Sequence, residues 1–68
     1  MKYRCKVIGH ELKETKTGNL LIVKLKGYDR GAEIKAQLLV EEDERVKYPF
    51  GCGCVMNFDV QQDLTLEK

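Results

Sequence analysis

Apolar and charged residues change places at every second position over most of this chain. Tyr3, Cys5 and Val7 alternate with Lys2, Arg4 and Lys6, the pattern of a strand with one face buried. From Leu20 to Lys26, Leu21, Val23 and Leu25 face one way and Lys24 and Lys26 the other. Ile22 breaks the polar side, which implies cover on both faces at one end of that strand. Ala32 to Glu41 sets Ile34, Ala36, Leu38 and Val40 against Glu33, Lys35 and Gln37. Cys52 to Val60 groups Cys54, Met56, Phe58 and Val60, and Leu64 and Leu66 flank Thr65. Five strands follow, with these in-phase apolar side chains as the expected core.

The connections agree with that count. Thr15-Lys16-Thr17-Gly18-Asn19 reads as a tight hairpin turn, because Gly18 and Asn19 both tolerate the positive φ such turns require. Gly27 to Gly31 is a second glycine-bounded turn, and Gln61-Gln62-Asp63 closes a last hairpin. The connection from Glu41 to Gly51 differs in kind. Its EEDERVK supports one or two helical turns, with acids at the start where the helix dipole favours them and Pro49 beyond the end. Val46 is too little apolar content for a long amphipathic helix. Five short strands avoid two bare edges by wrapping into a barrel. The expected fold is therefore all-β, a small five-stranded barrel, closed or partly open, forming one domain over residues 1–68. A short helical or irregular connection joins strands three and four. That order of elements is the order of the OB-fold, with an SH3-like barrel as the alternative.

Composition sharpens this only slightly. A content of 43% hydrophobic and 34% charged residues describes a folded domain rather than a disordered chain. A chain of 68 residues has a thin core, burying about 60% of its unfolded surface. No apolar run approaches the ~20 residues that span a bilayer, and MKYRCKVIGHELK lacks the apolar centre of a signal peptide. The expected compartment is the cytoplasm, which the odd count of three cysteines also fits. Net charge is +1, but it is unevenly spread. Residues 1–30 hold eight Lys/Arg against three Asp/Glu, and residues 31–68 hold four against eight, so the halves carry +5 and −4. Such a chain can present a basic face while staying near neutral overall.

The stretch LKETKTGNLLIVKLKGYDRGAEIKAQLL resembles the first three strands of OB domains in replicative DNA polymerases, replication protein A relatives and small phage single-strand binders. Those domains tend to read as a strand, then T-K-x-G, an apolar strand, a D-x-x-G turn and a third strand. Thr15-Lys16-Thr17-Gly18 supplies the first turn, and Asp29-Arg30-Gly31 a second that is one residue short. The tail YPFGCGCVMNFDVQQDLTLE is similar to the G-x-x-V-x-x pattern that opens their fourth strand. The resemblance covers about residues 5–66. It implies a ligand, single-stranded nucleic acid with DNA ahead of RNA, lying across strands two and three between the first and last hairpin loops. Carried over residue by residue, it places Lys13 and Lys16 near the first loop and Lys24, Lys26 and Lys35 on the outward face. Tyr28 and Arg30 fall in the second turn, and Gln61 and Gln62 in the last loop. Lysines would neutralise phosphates and an aromatic ring would stack a base. The chain departs from the family in its aromatics: Tyr3 and Phe58 are in phase with the core, and Tyr28, Tyr48 and Phe50 fall outside the predicted outward strand positions. The implied binding is weak and mainly electrostatic.

Each of these features also has an ordinary reading. Alternating lysines solvate a sheet and guard its edges. A protein-interaction or assembly module, including a homo-oligomer, would use the same barrel without nucleic acid. The acidic run Glu41 to Glu44 favours that alternative if it lies near the lysines. Cys52-Gly53-Cys54 with Cys5 and His10 would make a Cys₃His set acceptable to zinc. The spacing is not C-x₂-C, however, and Cys5 and Cys54 are in phase with the core, so no metal is expected. His10 is expected to be exposed at the end of the first strand, pointing away from its neighbour Glu11. The acidic run lacks the glycine-punctuated spacing of a calcium loop. No nucleophile, base and orienting group fall together, so no enzymatic activity and no cofactor are expected.

Overall fold

The computed structural model describes residues 2–28, 31, 33–57 and 63–67. They form β1 (Lys2–Thr15), β2 (Gly18–Gly27), β3 (Glu33–Val40), a 3₁₀ turn (Arg45–Lys47), β4 (Gly53–Asn57) and β5 (Leu64–Leu66). All pairings are antiparallel and join one sheet in the order β3-β2-β1-β4-β5. The all-β, five-stranded reading therefore holds. Among the described residues no ladder joins β3 to β5, so the sheet is open between them. No helix among them is long and apolar enough to cross a membrane.

The alternation places the side chains as the pattern requires. Cys5, Val7, Leu21, Val23, Leu25, Ala36, Val40, Cys54 and Met56 are buried in one cluster, with Tyr3, Leu12, Ile34, Leu38, Tyr48 and Leu64 packed against it. Ile22 is also buried, on the opposite face, which accounts for its break in the polar side. The largest fully buried side chains are aliphatic, led by Leu21 and Leu25. A thin aliphatic core leaves a small stability margin, at ~1.5–3 kcal/mol for each fully buried side chain.

The first strand differs from its expected form. It runs on to Thr15, and its register with β2 shifts between Val7 and Gly9. Val7 faces Leu25 and Gly9 faces Lys24, so Ile8 is one residue extra, a β-bulge. The bulge reverses the phase of the strand. Odd positions point inward before it, whereas after it His10 and Leu12 oppose the buried Val23 and Leu21. His10 is consequently half-buried in mid-strand rather than exposed at a strand end. Its ring stacks on Phe50 at 4.5 Å, and its Nε2 hydrogen-bonds the Tyr48 carbonyl.

The remaining boundaries shift by small amounts. The hairpin turn lies at Lys16 and Thr17, and only Gly18 takes positive φ, at 138°. Asn19 instead stays in β2 and its side-chain amide donates to the Glu41 carbonyl. The connection after β3 holds a single 3₁₀ turn, within the helical-or-irregular expectation. Asp43 accepts the Arg45 backbone N–H at 3.1 Å, so that acid works by hydrogen bonding just before the turn. The segment then joins the sheet: Gly51 N–H donates to the Val7 carbonyl and Val7 N–H to the Cys52 carbonyl, each at 2.9 Å. The expected contributions of Ala32, Phe58 and Val60 lie outside the described residues.

Candidate nucleic-acid interface

The outward face is set by two registers, β1 against β2 and β2 against β3. Across the three strands they make rows of neighbouring side chains: Lys13, Leu20 and Leu39; Glu11, Ile22 and Gln37; Gly9, Lys24 and Lys35; Lys6, Lys26 and Glu33. Four lysines thus occupy two adjacent rows, with Glu33 as the one acid among them. Lys24 sits directly opposite Lys35, and Lys6 directly opposite Lys26. Like charges in facing positions destabilise a sheet, so the fold bears two such pairs side by side. Gly9 lets the arrangement form. A Cβ there would stand 3.2 Å from the Lys24 Cδ, so the lysine stem lies over the bare glycine and its ammonium extends beyond.

Tyr28 borders this cluster. Its backbone N–H donates to the Arg4 carbonyl at 3.3 Å, continuing the β1–β2 ladder by one step. Its hydroxyl lies 3.5 Å from where a Gly53 Cβ would be, on β4, so the ring crosses β1 on the lysine face. The side chain is 58% exposed despite that contact. Arg4 stands beside it and is held by Glu67 through a bidentate pair, with Nη2 at 2.7 and 2.8 Å from the two carboxylate oxygens. The inward side of the same corner is tight. A Cβ on Gly27 would approach the Tyr3 ring to 2.5 Å, so only glycine lets that ring reach the core.

Of the residues expected at an interface, Lys24, Lys26, Lys35 and Tyr28 come together. Lys13 and Lys16 do not join them. Lys13 faces Leu20, four residues and ~13 Å along β2 from Lys24, and it lies 3.6 Å from Glu11. Lys16 is farther still, at the hairpin tip, and Leu20, Ile22 and Leu39 separate both from the cluster. Arg30, Gln61 and Gln62 lie outside the described residues. Lys6 was missed as a member, because strand alternation gives its face but not its row. Only the pairing of Lys6 with Lys26 reveals it.

The acidic run lies away from this cluster. β3 leaves the sheet past Val40, which pairs with Asn19, so Glu41 starts six residues and ~20 Å beyond Lys35. There Asp43 is held by Arg45, whose hydrogen bonds lower its pKa to about 2. Lys47 is paired with Glu44. This end is charged but internally neutralised in part, and it does not oppose the lysines.

Two of the three cysteines lie in the core. Cys5 and Cys54 face each other across β1 and β4, both fully buried. Burial, with the neighbouring Cys5 and Cys52, pushes the Cys54 thiol up to about 11, and burial raises Cys5 as well. Among the described residues no three His, Cys, Asp or Glu side chains converge on one point. Cys52 is half-buried at the edge of a shallow apolar concavity of about 650 Å³ between the 3₁₀ segment and β5, lined by Val46, Tyr48, Pro49, Leu64 and Leu66.

Compared with models of protein families, with curated proteins and with solved structures, the chain matches none.

Proposed function

We propose that this protein is a small non-enzymatic module, an OB-like and partly open barrel, that binds single-stranded nucleic acid through the outward face of β1, β2 and β3. The observation that carries this reading is the pair of facing lysine pairs, Lys24 with Lys35 and Lys6 with Lys26, in adjacent rows. Such a cluster lowers the stability of the sheet in isolation, and a polyanion laid across it removes that repulsion. Successive outward positions on one strand are ~6.6 Å apart, and facing positions ~5 Å apart, so the four ammonium groups can meet consecutive phosphates of an extended strand. Tyr28 adds one exposed ring at the border, enough to stack a single base. Binding is therefore weak, mostly electrostatic and nearly indifferent to sequence. The order of hairpins, with a 3₁₀ turn between β3 and β4, supports the OB-like form.

The test is a titration of a fluorescently labelled single-stranded oligonucleotide at several salt concentrations. With four lysines engaged, the logarithm of the association constant falls with the logarithm of salt at a slope of about −3, taking ~0.7 per phosphate. Exchanging Lys24 and Lys26 together for Glu abolishes binding. Failure to bind at the lowest salt that keeps the protein folded would refute the proposal. So would a slope near zero.

A further inference from the structure

Among the described residues β3 is an edge of the sheet, and it carries few of the devices that keep edges from pairing. Its ladder with β2 runs from Asn19–Val40 to Lys26–Glu33 without a register shift, so no bulge twists it away. It spans eight residues, contains no proline, and has one lysine, Lys35. Leu39 is 66% exposed on its outer side. On its inner side Ile34 and Leu38 are only partly buried, because nothing described covers the core beyond them. The opposite edge, β5, is blunted by being three residues long.

The sequence of β3 is self-complementary when turned antiparallel about Ala36. In that register Ala36 faces Ala36 of the second copy and Ile34 faces Leu38, twice, on the core side. On the outer side Lys35 faces Gln37 and Glu33 faces Leu39, each twice, so no like charges meet. Moving the register two residues toward the N-terminus would set Lys35 against Lys35. Moving it two toward the C-terminus would leave Glu33 with no partner residue within the strand. A shift of two more toward the N-terminus would face Glu33 with Lys35 but leave only three strand residues paired, so strand overlap and charge together favour the register centred on Ala36.

We propose that two copies of this chain pair through β3 about a two-fold axis at Ala36, giving a continuous ten-stranded sheet. This stands apart from nucleic-acid binding and needs no ligand. Where the lysine face does bind a strand, the axis brings the two lysine clusters side by side and lengthens the platform.

Sedimentation at rising protein concentration, without nucleic acid, tests the pairing. The wild type goes from monomer to dimer. Gln37→Lys sets a lysine opposite each Lys35 and weakens the dimer, whereas Gln37→Glu tightens it by roughly tenfold through two new opposite-charge pairs. The double exchange Lys35→Glu with Gln37→Lys restores charge pairing and returns association to at least the wild-type level. Because Gln37 is exposed, thermal melts of dilute protein confirm that each variant is folded. A wild type that stays monomeric at millimolar concentration overturns the proposal. A dimer that ignores these charge exchanges places the contact on another surface and overturns it equally.

Discussion

Replacing Lys35 by Glu separates a lysine cluster kept for a ligand from one that merely solvates the sheet, because the two effects carry opposite signs. Lys35 faces Lys24 and no other cation in its row. The substitution turns a facing like-charge pair into an opposite-charge pair. Cross-strand ion pairs contribute roughly 0.2–1 kcal/mol, and exposed pairs lie at the low end of that range. Counting ~0.3 kcal/mol of lost repulsion and a similar gain in attraction, the variant should be more stable by about 0.5 kcal/mol. For a domain of this size that raises the melting temperature by about 2–4 °C. Nucleic-acid affinity should fall meanwhile, with the salt slope shrinking from about 3 toward 1.5–2, since one phosphate contact is lost and the carboxylate repels another. Lys26→Glu is the internal control. Lys26 lies between Lys6 and Glu33, so the exchange trades one repulsion for another and leaves the melting temperature nearly unchanged. It should weaken oligonucleotide binding to the same extent. Thermal melts of dilute protein and salt-series titrations measure both quantities. A Lys35→Glu variant that melts lower, or one that binds as tightly as the wild type, would show the reasoning to be wrong.

Other expectations rest on single residues. Tyr28→Ala should weaken oligonucleotide binding by about 1–3 kcal/mol, one stacked base, while leaving the melt within about 0.5 kcal/mol, as for an exposed residue. Gly27→Ala should destabilise the fold by about 1–3 kcal/mol through its collision with the Tyr3 ring, and Tyr3→Leu in the same chain should recover part of the loss on a denaturant curve. Asp43 has a depressed pKa, so its pairing with Arg45 stabilises the fold above the usual carboxylate pKa of about 3.9. That contribution fades as pH falls toward about 2, so the gap in melting temperature between wild type and Asp43→Asn should be present at pH 6 and close by pH 2. At neutral pH iodoacetamide should label Cys52 first, with Cys5 and Cys54 protected by burial and raised pKa until the chain unfolds, as peptide mass spectrometry would show.

Four of the five strands could be read from sequence because burial imposes a period of two, as on Leu21 to Leu25, Ile34 to Val40 and Cys54 to Met56, whereas β5 showed only as two leucines about a threonine, of which Leu64 is half-buried. What could not be read depends on how strands sit against each other. The bulge at Ile8 left only Gly9, an isolated glycine in a strand pattern, as its trace. Without it His10 and Leu12 fall on the wrong face. The lysine cluster was half visible. Lys24, Lys26 and Lys35 follow from alternation, but Lys6 enters through register, and Lys13 and Lys16 leave for the same reason. Tyr28 lay outside any strand pattern and reaches the lysine face by crossing β1 near Gly53, a contact between residues 25 positions apart.

The middle place of β1 in the sheet has a consequence for how the molecule is made. The hairpins from β1 through β3 pair neighbours in sequence and can assemble while later residues are still being synthesised. The other flank of β1 waits for Gly53 to Asn57, some fifty residues downstream, and until they arrive Tyr3 and Cys5 lie at a bare rim with Arg4 and Lys6 beside them. Cations at such a rim discourage a foreign strand from taking the berth reserved for β4.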